Sequence, residues 1–316
     1  MKKGNSGYFT FMLSFIILML WNLSGCGAGK WGFIDEKGNV IERQFDDVTP
    51  FSDGLSAVKV GNKWGYIDRT GKFVIESQFD WAWLFHEEVA AVTSGGKWGF
   101  IDKTGRFVIK PQFETVYSFS EGLAPVKREG AKWGYIDKTG RFVIEPQFDL
   151  AWRFGDGLAA VETGGHWGFI DKSGKVVIKA QFDGALHFSD GLAGVRIGKL
   201  RGFIDRTGQI AIKPQYDAIS SFSGGLAPVK LEGRWGYIDK TGKVVIQPNF
   251  SRAFPFSEGL ACVRIGTKWG YIDKTGKFVI EPQFDRAYPF SEGTAMIRMG
   301  RGTGYIDKEG RFVGTL

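Results

Sequence analysis

Nine aspartates fall at one position of a repeated pattern, and carboxylates are the side chains that bind calcium or serve as general acids and bases. Each one ends a run of the form Trp-Gly-aromatic-Ile-Asp or a degenerate copy of it, and Lys, Arg or Glu follows it. No second carboxylate lies nearby at the spacing of a calcium loop, whereas a turn at this point needs an Asp to cap it. We therefore expect a structural role for the whole set. Its members are Asp35, Asp68, Asp102, Asp137, Asp171, Asp205, Asp239, Asp273 and Asp307.

The three histidines, His86, His166 and His187, fall at three different positions of the repeat. They therefore form no fixed group. No His-Glu-x-x-His, Gly-x-Ser-x-Gly or phosphate-loop pattern is present either. We expect a protein that is not an enzyme, with no catalytic residue, no bound metal and no cofactor.

The residue two positions before a constant Phe varies from unit to unit. The set is Thr49, Trp83, Tyr117, Trp152, Leu186, Ser220, Phe254 and Tyr288. If the units stack, its aromatic members form ladders that could hold sugar rings or an extended peptide, or they fill the gaps between units as core residues. The candidate ligand-binding residues are Trp83, Tyr117, Trp152, Phe254 and Tyr288.

Charged residues are concentrated at the turns. Basic residues such as Arg69 and Lys103 share a position in one turn, and acidic residues such as Asp53 and Glu121 share a position in the opposite turn. Stacked units would then carry one basic rim and one acidic rim. A basic rim suits anionic lipid headgroups or wall polymers, although polar turns also serve solubility alone. The formal net charge of +7 is mildly basic and does not in itself indicate a nucleic-acid partner.

The elements that carry these residues are predicted to be short strands. Leu-Ala-x-Val, Trp-Gly-Tyr-Ile and Phe-Val-Ile are rich in aromatic and β-branched residues and are bounded by Gly, Pro and Asp. Asp-Lys-Thr-Gly between the second and third runs predicts a hairpin, and the frequent Gly and Pro exclude a long helix. A Pro is expected to end the third strand in five units. These prolines are Pro111, Pro146, Pro214, Pro248 and Pro282.

The pattern repeats about every 34 residues, since successive glycines of the Trp-Gly motif lie 33 to 35 residues apart. Such a period indicates a repeat architecture. The chain begins and ends with a hairpin, giving eight full units and a fraction. This count favours an open β-solenoid or superhelix over a closed β-propeller. The structural tryptophans are Trp31, Trp64, Trp98, Trp133, Trp167, Trp235 and Trp269.

The consensus Lys-Trp-Gly-Tyr-Ile-Asp-Lys-Thr-Gly-Lys-Phe-Val-Ile-Glu-Pro-Gln-Phe-Asp resembles the WG-repeat (KWG) family of bacterial proteins. The resemblance extends from Trp31 to the end of the chain. The family name implies no single activity.

Cys262 stands where other units have Ala, Pro, Gly or Met. Because a position that accepts Pro is typical of an edge or bulge, its thiol is expected to be accessible or else a small apolar filler.

The first 25 residues have the layout of a secretory signal, with Lys2 and Lys3 before an apolar core. The run Leu-Ser-Gly-Cys at residues 23–26 resembles the lipobox of bacterial lipoproteins, which implies cleavage before Cys26 and a diacylglyceryl thioether on its sulfur. A plain signal peptide or an uncleaved anchor is the alternative. Residues 26–30 would be a tether of at most ~18 Å, and residues 31–316 the repeat domain.

Together these features predict a non-enzymatic lipoprotein of the bacterial cell envelope. Its lipid would hold it on the outer side of the cytoplasmic membrane or in the outer membrane. The expected partner is a surface protein or a glycan, bound at positions that vary between units. The alternative is a structural envelope component that associates electrostatically with anionic lipid or wall polymer.

Overall fold

The computed structural model describes residues 31–34, 40–300 and 302–314, and the regular structure there consists of β-strands. Strands β1 (Trp31–Ile34) and β2 (Val40–Phe45) form a two-stranded antiparallel sheet. The remaining strands form eight four-stranded antiparallel sheets, each from four consecutive strands. The all-β repeat architecture predicted from the sequence is confirmed. Within the described ranges no helix is long and apolar enough to cross a membrane, and the predicted lipidation site at Cys26 lies outside them.

We number the four-stranded sheets as blades 1 to 8 and label the strands of each blade a, b, c and d in chain order. Blades 1 to 3 contain β3 (Asp47–Val48), β4 (Ser56–Val60), β5 (Lys63–Ile67), β6 (Phe73–Phe79), β7 (Trp81–His86), β8 (Val89–Ser94), β9 (Lys97–Asp102), β10 (Phe107–Phe113), β11 (Thr115–Val116), β12 (Ala124–Lys127), β13 (Trp133–Ile136) and β14 (Phe142–Phe148). Blades 4 to 6 contain β15 (Leu150–Gly155), β16 (Leu158–Thr163), β17 (His166–Asp171), β18 (Val176–Phe182), β19 (Gly184–Ser189), β20 (Leu192–Ile197), β21 (Leu200–Ile204), β22 (Ile210–Tyr216), β23 (Ala218–Ile219), β24 (Leu226–Leu231), β25 (Arg234–Asp239) and β26 (Val244–Phe250). Blades 7 and 8 contain β27 (Arg252–Ala253), β28 (Ala261–Ile265), β29 (Lys268–Ile272), β30 (Phe278–Phe284), β31 (Arg286–Ala287), β32 (Ala295–Met299), β33 (Gly302–Ile306) and β34 (Phe312–Gly314).

An aromatic pair joins each blade to the next. The ring of Tyr66 in strand c of blade 1 contacts Phe85 in strand a of blade 2, with ring centroids 4.8 Å apart and planes at 65°. The equivalent pair occurs at all seven junctions between consecutive blades, at 4.8 to 5.1 Å. The Tyr66 hydroxyl also donates a hydrogen bond to the carbonyl of Trp83 at 2.7 Å. Each blade therefore buries its strand-c ring only when a following blade is present.

The eight blades close into a ring, because blade 8 packs against blade 1. The hydroxyl of Ser291 donates a hydrogen bond to the carbonyl of Phe51 at 3.2 Å. The guanidinium of Arg69 forms an ion pair with Glu292, and Tyr305 packs against the buried cluster of blade 1. The protein is therefore a closed β-propeller of eight blades, and the open solenoid or superhelix favoured by the sequence is wrong.

The extra hairpin explains why the unit count was misleading. Strand d of blade 8 has three residues, whereas strand d of every other blade has seven. Phe45 at the end of β2 is buried and lies 5.8 Å from Phe73 of blade 1 between ring centroids. Phe79 of blade 1 contacts Phe107 of blade 2 in the same way at 5.9 Å. The hairpin thus supplies the Phe that the short last strand lacks, and it completes the junction instead of capping an open end.

The aspartates that follow the Trp-Gly motif cap the turns between strands c and d. One carboxylate oxygen of Asp137 accepts hydrogen bonds from the Thr139 hydroxyl at 2.6 Å and from the backbone N–H groups of Thr139 and Arg141 at 2.8 and 3.1 Å. The hydroxyl bond contributes most to lowering the pKa of Asp137. All eight described aspartates of this set make such bonds, so their predicted structural role is confirmed.

The glycine of each Trp-Gly pair faces a bulge in strand d, which has two extra residues there. A Cβ on Gly134 would lie 2.6 Å from the carbonyl oxygen of Ile144 and 2.8 Å from the nitrogen of Pro146. Pro146 itself lies inside β14. The prediction that these prolines end the third strand is therefore wrong. Residues in a bulge are not paired with the neighbouring strand, so a proline there removes no hydrogen bond between strands.

Replacing Gly134 by Ala should destabilise the protein by about 1 to 3 kcal/mol, because the added methyl overlaps backbone atoms that cannot move aside cheaply. Urea unfolding followed by tryptophan fluorescence measures the change. Gly130→Asn is the matched control, since Gly130 has a φ of +69° and open space around its Cα. Equal stability of the two variants would contradict the proposed steric role of the Trp-Gly glycine.

Candidate functional site

Strand a of each blade lies next to the axis of the ring. Strand d lies at the outer edge, where residues such as Val143 and Val177 are exposed. Strands a of neighbouring blades approach each other directly, as β15 and β19 do. Side chains at the end of strand a therefore surround the axial opening.

A cavity of about 270 Å³ lies among the segments that connect strands a and b in blades 5 to 8, together with the end of strand a of blade 5. Aromatic and proline rings form much of its wall, and four serine residues and a histidine interrupt them. Such a surface suits a ligand with an apolar face and a few polar groups. The lining residues are His187, Ser189, Ser221, Phe222, Ser223, Phe254, Pro255, Phe256, Ser257 and Pro289.

Four of these residues share one position of the repeat, directly after the variable aromatic position. The full set at this position is Pro50, Leu84, Ser118, Arg153, His187, Ser221, Pro255 and Pro289. This set was not among the predicted binding residues, although its chemistry varies more between units than that of the neighbouring positions. The signal that could have revealed it is the mixture of charged, polar and apolar residues between two positions that are often aromatic.

Arg153 is the charged member of this set. Within residues 31–34, 40–300 and 302–314, its guanidinium has no hydrogen bond and no ion pair, and burial lowers its pKa. Burial is also the main cause that lowers the pKa of His86, and that of His187 to about 4, with the charge of Arg153 adding to it. The three side chains therefore share one part of the axial opening, where Arg153 is the cation.

Ser221 lines the cavity and has a buried hydroxyl without a partner among the described residues. Its side chain is 5% exposed, and its Oγ has no hydrogen bond among the described residues. A buried polar group in this condition costs about 1 to 3 kcal/mol. A ligand atom that pairs with the hydroxyl would remove this cost, so Ser221 favours binding in the cavity.

The first predicted aromatic ladder is continuous but is largely part of the core. The ring of Tyr117 lies 6.3 Å from Trp83 and 5.5 Å from Trp152. Tyr117 also stacks on Trp133 at 5.2 Å and is 8% exposed. These three residues fill the spaces between blades 2, 3 and 4.

The other two candidates lie in blades 7 and 8. Phe254 lines the cavity and contacts Trp269 with ring centroids 5.6 Å apart. The carbonyl of Tyr288 accepts a hydrogen bond from the Tyr271 hydroxyl at 2.8 Å, which ties it to the neighbouring blade. Of the five candidates, Phe254 is the one that the structure places at the cavity wall. Ligand binding by the whole set stays a prediction.

The basic and acidic turns lie at the same end of the ring, so the prediction of two separate rims is wrong. Strands alternate in direction, which brings the a–b and c–d turns to one face. Lys138 and Lys172 form ion pairs with Glu87 and Glu121 of the preceding blade at 3.4 and 3.1 Å. Basic and acidic side chains therefore meet on one face, and four of the eight blade junctions have such a pair.

Cys262 is buried in blade 7 at 1% exposure, so the expectation of an accessible thiol is wrong and that of an apolar filler is correct. Burial raises the pKa of its thiol well above the ordinary value. The described part of the chain contains no group of three or more His, Cys, Asp or Glu side chains placed to hold a metal ion.

The closed ring of eight four-stranded sheets defines the protein as an eight-bladed β-propeller. The model of the WG containing repeat matches the chain eight times in succession, and the chain belongs to that family, as its motifs predicted. The matches cover residues 31–64, 64–98, 98–130, 133–165, 167–200, 202–235, 235–269 and 269–301.

Solved structures with very different sequences share the fold. A crystal structure of the computationally designed Ika8 protein is 11% identical with a TM-score of 0.54, over 90% of this chain and 98% of that one. A crystal structure of a eukaryotic initiation factor is 10% identical with a TM-score of 0.61, over 89% of this chain and 93% of that one. No curated protein matches the chain. At such identities the likeness concerns the fold alone.

Acidification should lower the free energy of unfolding, because His187 takes up a proton less readily in the folded state than in the unfolded state. An unfolded histidine takes up its proton near pH 6.5, whereas folded His187 does so near pH 4. The unfolded state therefore binds more protons in this window, and the free energy of unfolding should fall by up to about 3 kcal/mol as the pH drops through it.

Urea unfolding at pH 7, 5 and 4 measures this effect. His187→Gln should lose less stability over the window than the unaltered protein, since the variant has no imidazole to protonate. His166→Gln, at an exposed position, is the control. The same pH dependence in all three proteins would contradict the assignment.

Proposed function

We propose that this protein is a binding scaffold whose ligand enters the cavity between blades 5 to 8. The observation that carries the proposal is the unpaired buried hydroxyl of Ser221 in the cavity wall. The proline and aromatic rings beside it offer apolar contacts, and the serines offer a few directed hydrogen bonds. The ligand is a part of a surface protein or a glycan.

We also propose that the role is not catalytic. Carboxylates in the a–b turns are already used for structure: Asp156 and Asp190 each accept a hydrogen bond at 2.7 Å from a glycine N–H of the next blade. Carboxylates engaged in this way fix the position of the next blade. This arrangement supports recognition over proton transfer.

The scaffold is proposed to act at a bacterial membrane, on the outer side of the cytoplasmic membrane or in the outer membrane. The support is the sequence around Cys26, which resembles a lipobox. Two acyl chains on this residue would anchor the protein stably, whereas a single chain is marginal. The short tether would keep the ring close to the headgroups.

Removing the Ser221 hydroxyl should separate binding from stability. Ser221→Ala is expected to leave the fold unchanged or slightly more stable, because it deletes an unpaired buried polar group, and to weaken ligand binding about tenfold. Arrays of glycans and peptides, probed with the full chain in detergent, supply the ligand, and its affinity is then measured by calorimetry.

Ser118→Ala is the matched control, since Ser118 holds the same repeat position in blade 3, outside the cavity. It should bind as tightly as the unaltered protein. Unchanged affinity in Ser221→Ala, or an array on which nothing binds, would overturn the proposal.

Lipidation is testable with an alkyne analogue of palmitate fed to a bacterial host that expresses the full chain. The unaltered protein should carry the label and sediment with membranes, and Cys26→Ser should lose both properties because it has no thiol to acylate. Cys262→Ser serves as the control and should keep the label. Label on Cys26→Ser would contradict the anchor.

A further inference from the structure

A ring of carboxylates links the blades at the face that carries the a–b turns. An Asp or Glu in each turn accepts a hydrogen bond from the backbone N–H at one fixed position in the next blade, at 2.7 to 3.3 Å. These acidic residues have φ values of 47° to 56°. They are Asp53, Glu87, Glu121, Asp156, Asp190, Glu258 and Glu292. Seven of the eight blade junctions have this link.

The junction between blades 6 and 7 is the one without it. Gly224 stands at the position of the acidic residue, with a φ of +61°. Gly259 of blade 7 stands at the position whose backbone N–H donates to the carboxylate at the other junctions. This N–H has no acceptor among the described residues. This junction therefore presents a free N–H group where the other seven have a bound carboxylate.

A free cation lies at the same place. Lys274 belongs to the set of turn residues that reach back to the preceding blade, as Lys308 does when it pairs with Glu258 at 3.1 Å. In the described part of the chain Lys274 has no ion pair. A Cβ added to Gly224 would lie 2.8 Å from its Nζ. The ammonium group thus occupies the space beside the missing side chain.

The cavity adjoins this junction. Ser223 and Ser257 both line it, and they directly precede Gly224 and Glu258 in the two turns. Phe256 and Pro289 form apolar wall on the same side. The free ammonium therefore lies beside Gly224, and the free N–H belongs to Gly259, two residues beyond Ser257 of the cavity wall.

We infer that an Asp or Glu side chain of a partner peptide binds here, with its carboxylate on the N–H of Gly259 and on Lys274. The inference rests on the proposed binding role of the cavity and names its ligand. An amino-acid carboxylate is favoured because Asp and Glu side chains accept the equivalent N–H at the other seven junctions. At four of these junctions the carboxylate also forms an ion pair with the basic turn residue of the following blade. An apolar residue beside the acidic one would enter the cavity.

The probes are two dipeptides that differ by a single group, N-acetyl-Phe-Glu-amide and N-acetyl-Phe-Gln-amide, together with glucuronate as the sugar acid. Calorimetry with the full chain in detergent should show the Glu dipeptide binding about three- to tenfold more tightly than the Gln dipeptide. Equal affinity of the two dipeptides, or glucuronate binding more tightly than the Glu dipeptide, would overturn the inference.

Gly224→Asp is the sharpest variant, because it places an internal carboxylate on Gly259 and Lys274. Asp already takes this backbone conformation in blades 1, 4 and 5, so the variant should fold, which thermal unfolding checks. It should abolish the preference for the Glu dipeptide. Gly233→Asp adds the same charge in a b–c turn at the opposite end of the ring, where a Cβ meets nothing within 4 Å, and should leave the preference intact.

The outcomes separate this inference from the proposed function. If Ser221→Ala weakens both dipeptides equally while Gly224→Asp changes neither, the cavity binds ligand and the carboxylate site is wrong. If neither variant affects any ligand found, both are wrong. Loss of the Glu preference in Gly224→Asp alone supports the carboxylate site.

Discussion

The aromatic contact between strand c of one blade and the constant Phe before the a–b turn of the next is the interaction on which the structure depends. A single blade exposes its strand-c ring and cannot bury it alone. Each contact adds about 0.5 to 1.5 kcal/mol beyond the apolar area that it buries, and it recurs at every consecutive junction. An open array would leave one such face exposed at each end. Closure through Tyr305 and the first hairpin removes both exposed faces.

The sequence predicted the hairpins well because their information is local. The Asp cap, the turn Gly and the β-branched runs lie within a few residues of each other, and the structure contains each of these elements as expected. Strand a was missed, because in five blades it has only two residues and no alternating pattern. Closure was missed as well, since it depends on Phe45 and Tyr305, which are 260 residues apart in the chain.

The candidate site was only partly predictable for the same reason. Variation between units pointed to the right strand but to the neighbouring position, where Tyr117 proved to be core. The charges were assigned to two ends because the sequence does not show that a short strand separates the turns. With that strand in place, Lys138 and Glu87 come together, so basic and acidic side chains share one face of the ring.

The eight blades also give the ring an approximate eightfold symmetry, and this has a consequence for any ligand on the axis. On a perfectly symmetric ring a ligand would have eight equivalent orientations and no reason to choose one. Selecting a single orientation requires departures from this symmetry that favour one orientation by more than about 1.2 kcal/mol, which is RT ln 8 at room temperature. The absence of an acidic side chain at Gly224 is such a departure. A missing group in one repeat can thus define direction in a molecule that otherwise has none.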